Sequence, residues 1–181
     1  RGVDELGRRL GLTVEELLAV PITYREFAIP KRSGGSRTIS APDGPLKGLQ
    51  RRIRRRLLAR LECHPAAKGF ERGQSIVTNA RPHAGKAVVV HMDIKDFFPS
   101  TTVERVRRYF RSLGWNREAT ELLLRLCTHR GGLPQGAPTS PRLSNLVNWR
   151  LDARLSGLAA RFGATYTRYA DDITFSFDAD E

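Results

Sequence analysis

Asp171 and Asp172 stand side by side in the run Tyr169-Ala170-Asp171-Asp172, and Asp93 lies 78 residues upstream of Asp171 at the end of another apolar stretch. Carboxylates packed together repel one another and need cations to stay ionised. Hard oxygen ligands of this kind suit Mg²⁺, which keeps several waters and is shared with substrate phosphates. Two such ions about 3.5–4 Å apart would clamp the attacking and leaving oxygens of an in-line phosphoryl transfer. An Asp-Asp pair taken alone is more often a solvated turn. What decides between the two is whether the flanking elements bring the third acid alongside.

Those elements are legible. Thr165–Tyr169 and Ile173–Phe177 read as two strands, with the acids at the tip of the hairpin between them. Lys86–Met92 contains Ala87-Val88-Val89-Val90 and reads as a buried strand ending at Asp93. If it pairs beside the hairpin, the three carboxylates meet at one sheet edge.

Upstream, residues 3–20 read as helical, with Thr13 and Glu16 spaced as a capping box. Strands at 24–30 and 37–41 flank the basic loop 31–36. Pro45 precedes an amphipathic helix predicted to run from Leu46 to Leu61, its apolar stripe being Leu46, Leu49, Ile53, Leu57 and Leu61. A short helix is expected over 75–84, another over 103–113, and one over 116–129 with Asn116 as N-cap. A last helix should run from Pro141 to about Phe162 and close at Gly163. The result is an α+β layer in which helices back an antiparallel sheet.

The chain has 181 residues, with 31 basic against 19 acidic side chains and a net charge of +12. That balance favours a polyanionic partner, nucleic acid first. The predicted helix 46–61 carries Lys47, Arg51, Arg52, Arg54, Arg55, Arg56 and Arg60, with Glu62 as the one acid at its end. Such one-signed density reads as a phosphate-binding footprint, with an ordinary solvated face as the alternative. No apolar stretch is long enough to span a membrane, and no signal peptide opens the chain. Starting at Arg1 rather than Met, it reads as a fragment. Cys63 and Cys127 are far apart, as expected of reduced thiols in a cytoplasmic protein. The four histidines lack zinc-ligand spacing.

Four ordered blocks resemble reverse transcriptases. Asp93-Ile94-Lys95-Asp96-Phe97-Phe98 is similar to the first catalytic block, and Leu133–Pro141 (LPQGAPTSP) to the substrate-binding block. Tyr169–Asp172 is similar to the second catalytic block, and residues 31–42 to the fingers hairpin over the incoming nucleotide. Asn79-Ala80-Arg81-Pro82-His83 fits the NAxxH pattern of retron reverse transcriptases, and QGAPTSPRLSN from Gln135 to Asn145 is also retron-like.

The resemblance implies the fold of a right-hand polymerase: an antiparallel palm sheet backed by helices, with a fingers subdomain ahead of it. Fingers would occupy residues 1–85 and palm 86–181, with helices within 116–140 open to packing on the fingers. The chain stops at Glu181, before the segments that form a primer grip and thumb in such enzymes, so the thumb is expected to be absent.

By the same resemblance Asp93, Asp171 and Asp172 would bind two Mg²⁺ ions, with Mn²⁺ a possible substitute. Lys31 (or its neighbour Arg32) and Arg37 would meet the triphosphate. The backbone amides of Asp96 and Phe97 would lie near it, and Gln135 and Gly136 would contact the sugar or base. Phe98 would be a steric gate against a 2′-hydroxyl, leaving Phe97 as the core aromatic. Arg51, Arg52 and Arg55 would contact phosphates. Tyr169 would pack under template–primer or fill the hairpin, and Ala170 would leave room for the primer terminus, while Asn79 and His83 would either touch RNA or cap a helix.

The implied activity is RNA-directed DNA polymerisation, making RNA-linked single-stranded DNA in phage defence. Its partners would be an RNA template, a DNA or RNA primer, deoxynucleoside triphosphates, a cognate non-coding RNA and an effector protein. Alternatives are a group II intron, CRISPR-associated or other defence reverse transcriptase, an RNA-dependent RNA polymerase, and a non-catalytic nucleic-acid-binding fragment. Phe98 argues against the RNA polymerase, which usually carries an acid there.

Overall fold

The computed structural model describes residues 1–31 and 34–178. In chain order the elements are α1 (Val3–Leu10), α2 (Val14–Ala19), β1 (Tyr24–Pro30), β2 (Ser36–Pro42), α3 (Gly44–Ile53), α4 (Ile76–Ala80), β3 (Val88–Asp93), α5 (Phe97–Ser100), α6 (Val103–Ser112), α7 (Arg117–Cys127), α8 (Ser140–Val147), α9 (Trp149–Arg161), β4 (Thr165–Tyr169) and β5 (Asp172–Phe177). They form two compact units, one from Arg1–Leu61 with Phe98–Ser144, the other from Glu62–Phe97 with Asn145 onward.

In the first unit, local sequence chemistry sets the helix ends. Thr13 and Glu16 form the reciprocal capping box of α2, and Asn116 Oδ1 accepts from the Ala119 amide to start α7. Gly11 ends α1 in the left-handed conformation, with φ of 67°. β1 and β2 pair antiparallel from Tyr24↔Pro42 to Pro30↔Ser36. The core gathers Leu6, Leu10, Leu17, Leu46, Ile53, Phe110 and Leu123, all essentially inaccessible. Gln50 is buried among them, its Nε2 donating to the Leu126 carbonyl at 2.8 Å and to Tyr24 Oη at 3.1 Å.

The helix predicted over 46–61 is not a single α-helix. After Ile53 it widens into a π-helical stretch, Arg54–Leu58. The wider turn brings i+5 rather than i+4 onto one face, so Leu58, five residues after Ile53, is buried where periodicity had placed Leu57. The predicted helix from Pro141 to Phe162 is likewise two helices. Asn148 leaves the helical region at ψ of 6° and separates α8 from α9.

The second unit is built on a three-stranded antiparallel sheet in the order β3-β5-β4. One face carries Tyr166, Ile173 and Phe175, which pack with Ala159 of α9 and with Ala66. The opposite face carries Thr167, Thr174 and Ser176, and the turn Arg81–His83 lies on it. The expectation of a buried strand before Asp93 is corrected here. β3 is exposed along its length, with Val88 53%, Val89 51%, Val90 40% and Met92 45% accessible. It pairs only with β5 among the described strands, so it is an edge, and its apolar run reflects β propensity rather than burial on both faces.

Candidate active site: acids at one end of a three-stranded sheet

Register brings the acids together. β3 and β5 pair so that Asp93 lies directly opposite Asp172, and Asp172 in turn lies opposite Tyr169 of β4. Directly opposed residues in an antiparallel pair project to the same face. Asp171 occupies the β4–β5 turn, and its carbonyl accepts from the Ile94 amide at 2.9 Å, tying the turn to the residue after Asp93. The turn forms because Ala170 takes a left-handed conformation, with φ of 58°. Asp93 is exposed, and the side chain of Asp172 is 46% exposed.

Among the described residues, no three His, Cys, Asp or Glu side chains stand close enough to cage a metal unaided. The donor chemistry nonetheless suits a hard divalent cation. Three acidic residues sit at one end of the sheet, and Mg²⁺ uses one or two carboxylates with water and phosphate oxygens rather than an all-protein cage.

Sequence reasoning gave His91 no role. Strand alternation places it on the face of Asp93, and its Nε2 lies 3.4 Å from Asp172 Oδ1 while Nδ1 lies 3.1 Å from Thr174 Oγ1. His83 was expected to touch RNA or to pair with Asn79 as a helix cap. The cap of α4 is instead the Ser75–Thr78 box. His83 is buried and spans the hairpin, Nδ1 at 2.7 Å from Ser176 Oγ and Nε2 at 2.8 Å from Thr167 Oγ1. Burial, with Lys86 nearby, lowers its pKa below the ordinary value. Asn79 is half-buried, and its Oδ1 has no hydrogen-bond partner among the described residues.

Beneath the acids lies a buried polar network that the sequence did not announce. Arg168 and Asp152 are both inaccessible and form a two-pronged ion pair, Nη2–Oδ2 at 2.7 Å and Nε–Oδ1 at 2.8 Å. Tyr166 Oη donates to the same carboxylate at 2.7 Å. Burial opposes the charge of Arg168, but the Asp152 carboxylate outweighs it and raises the guanidinium pKa. Burial and then Asp152 also push the Tyr166 phenol up, keeping it a neutral donor. A charged residue inside an apolar strand was the only available signal.

The remaining candidates fall as follows. Asp96 is exposed with φ of 50°. Phe97 is 6% exposed, the Arg168 guanidinium 5.4 Å from its ring centroid, and Phe98 is half-buried. Lys31, Arg37, Gln135 and Gly136 belong to the first unit, as do Phe98 and the basic helix. There Lys31 and Arg37 are exposed on the β1–β2 hairpin. Arg32, the alternative to Lys31, lies outside the described residues. The Gln135 carbonyl accepts from the Ser40 amide at 2.8 Å, joining the LPQG loop to β2. Arg51 and Arg55 are exposed, whereas Arg52 and Arg56 donate to the carbonyls that end α1. Part of the basic helix is therefore occupied in capping.

The chain matches the model of the family described as reverse transcriptase (RNA-dependent DNA polymerase) over residues 29–181. It is 48% identical over 173 residues to the retron Mx65 reverse transcriptase of Myxococcus xanthus, covering 86% of this chain and 40% of that protein. It is 44% identical over 201 residues to the retron Mx162 reverse transcriptase of the same organism, covering 96% and 41%. Against the retron Ec86 reverse transcriptase of Escherichia coli it is 40% identical over 180 residues, covering 96% and 56%. The chain thus spans about half the length of these relatives. With the acid-bearing hairpin and its partner strand inside the matched region, the chain belongs to the reverse transcriptase family and, within it, resembles the retron type.

Proposed function

We propose that this chain forms the fingers and palm of a retron-type RNA-directed DNA polymerase. The observation that carries the reading is the pairing of Asp93 with Asp172 beside the Asp171 turn, inside a chain of the reverse transcriptase family. Residues 86–181 would be the palm and 1–85 the fingers, with parts of 116–140 joining the fingers.

Asp93, Asp171 and Asp172 would hold two Mg²⁺ ions, or Mn²⁺ in their place, and the bound ions would polarise the primer hydroxyl and stabilise the departing pyrophosphate. The protein's own share is positioning and charge. Lys31 and Arg37, exposed on their hairpin, would neutralise triphosphate oxygens, Arg37 through its planar fork. The Asp96 and Phe97 backbone amides would add neutral donors. Gln135 would orient the sugar, and Gly136 would admit close backbone approach. Phe98 would exclude a 2′-hydroxyl by bulk.

Arg51 and Arg55 would contact template phosphates, with Arg52 divided between that task and capping α1. Tyr169 would pack under the template–primer, Ala170 would leave room for the primer terminus, and Asn79 would meet RNA, with buried His83 holding β4 to β5 beneath it. The substrates would be an RNA template, a DNA or RNA primer and deoxynucleoside triphosphates. The retron reading adds a cognate non-coding RNA, an effector protein and phage defence in the bacterial cytoplasm. No helix among the described residues is long and apolar enough to cross a membrane.

The test is primer extension on an RNA template with Mg²⁺, comparing deoxy- with ribonucleotides, beside Asp171→Asn. Deoxynucleotide extension that disappears in the variant is expected. Ribonucleotide preference would replace the reading with an RNA polymerase; salt-sensitive RNA binding without extension would replace it with a binding module.

A further inference from the structure

Arg168 touches both acid-bearing segments of the second unit. Its Nη1 donates to the Ala170 carbonyl at 2.8 Å, in the turn that carries Asp171. Its guanidinium also lies over the ring of Phe97, four residues after Asp93. The same Nη1 reaches Asn145 Oδ1 at 3.2 Å, and the other nitrogens grip Asp152. A planar guanidinium with five donors can serve all these directions at once; an ammonium cannot.

The turn is braced from a second side. The Arg168 amide donates to the Ala66 carbonyl at 2.8 Å, and the Lys68 amide donates to the Arg168 carbonyl at 2.7 Å. Residues 66–68 therefore run alongside β4 and deliver Gly69 to the turn. A Cβ on Gly69 would sit 2.5 Å from the Ala170 nitrogen and 3.1 Å from the Tyr169 carbonyl carbon, so only glycine fits without displacing the backbone. Asn145 Nδ2 donates to the Gly69 carbonyl at 2.7 Å, which joins this brace to the guanidinium.

A buried ion pair adds little net stability, because desolvation offsets the attraction, and apolar replacement of both partners is often neutral. What this pair adds is position. Left-handed Ala170 is strained for a residue with a Cβ, and such a conformation persists only where its surroundings over-determine it. We propose that Arg168, anchored by Asp152 and Asn145 and opposed by Gly69, is a positioning residue that fixes the Ala170 turn and hence the placement of Asp171 and Asp172 relative to Asp93. The proposal rests on the polymerase reading above.

The test uses the double variant Arg168→Met/Asp152→Leu, which removes the pair without leaving a buried charge, together with Gly69→Ala and Arg168→Lys. Thermal unfolding, kcat, the KM for deoxynucleotide, the Mg²⁺ concentration for half-maximal rate, and hydrogen exchange at the Ile94 amide are measured for each. For the double variant and Gly69→Ala we expect proteins that still fold but melt lower, since buried Tyr166 Oη loses its acceptor in the first and the Gly69 Cβ displaces the Ala170 backbone in the second. We also expect kcat reduced by about 10²-fold with KM little changed, a raised Mg²⁺ requirement, and faster exchange at Ile94. Arg168→Lys, retaining charge but not the fork, should not rescue kcat. Native kcat in a folded double variant would overturn the proposal. If that variant does not fold, Gly69→Ala decides by the same criteria. A wild-type protein without deoxynucleotide incorporation would defeat the polymerase reading alone, and the Ile94 exchange would still judge the positioning: unchanged protection in the variants overturns it.

Discussion

Replacing His83 with alanine should destabilise the second unit by about 3 kcal/mol. His83 links Thr167 on β4 to Ser176 on β5, and all three residues are buried. Each lost neutral hydrogen bond accounts for about 1 kcal/mol, and each hydroxyl left without a partner adds a desolvation cost of about 1 kcal/mol or less if it finds a substitute. Against a typical total of about 5–15 kcal/mol the loss is large. At an ordinary urea sensitivity it lowers the unfolding midpoint by about 1–2 M.

The pH dependence carries a second signature. The folded-state pKa of His83 is lowered from 6.5, first by burial and then by Lys86. Over the window between the two values the unfolded chain binds more protons, so stability rises with pH there. The contribution is complete above about 6.5, the ordinary value, and is lost as the pH falls through the lowered folded value. His83→Gln, whose amide can donate to one hydroxyl and accept from the other without titrating, should retain part of the stability and flatten this slope. Urea titrations of the three proteins at several pH values measure both effects. An alanine variant with a native midpoint and an unchanged pH slope, but weakened RNA binding, would refute the clamp and assign the ring to RNA contact.

Two further outcomes follow from local geometry. Gly136 has φ of 124°, and a Cβ there would lie 3.0 Å from Ile39 Cγ2 and from the Ser40 carbonyl oxygen. Gly136→Ala should therefore cost about 1–3 kcal/mol of strain and loosen the Ser40–Gln135 link, seen as a lower urea midpoint and a raised KM for deoxynucleotide; an unaltered midpoint would mean the loop adapts freely. Burial pushes the Cys127 thiol up to about 12, whereas Cys63 is half-buried. At pH 8 a thiol-reactive disulfide should modify Cys63 in the native protein and reach Cys127 only after denaturation; rapid native labelling of Cys127 would contradict its packing.

The local features were legible because short-range chemistry sets them. The Thr13–Glu16 box, the Asn116 cap and the β4–β5 hairpin each depend on residues within a few positions of one another. The run before Asp93 was readable as a strand but not as an exposed edge, since apolar β-branched residues favour extended backbone whether or not anything covers them. The π-helical stretch after Ile53 was hidden for a related reason: Leu57 and Leu58 are equally apolar, and packing alone selected Leu58.

For the acid-bearing site, the sequence by itself determined the acids, the hairpin that carries two of them and the aromatic pair after the third. The tertiary structure decided what surrounds them. It set Asp93 opposite Asp172, turned the NAxxH histidine into a bridge across β4 and β5, and joined Arg168 to Asp152, Ala170 and Phe97. It also pressed Gly69 against the turn. Apart from the Arg168–Ala170 bond, two residues apart, these contacts join residues separated in the chain, so no local motif marks them. The charge of Arg168, costly in isolation, is tolerable only where folding supplies a buried carboxylate within hydrogen-bonding distance.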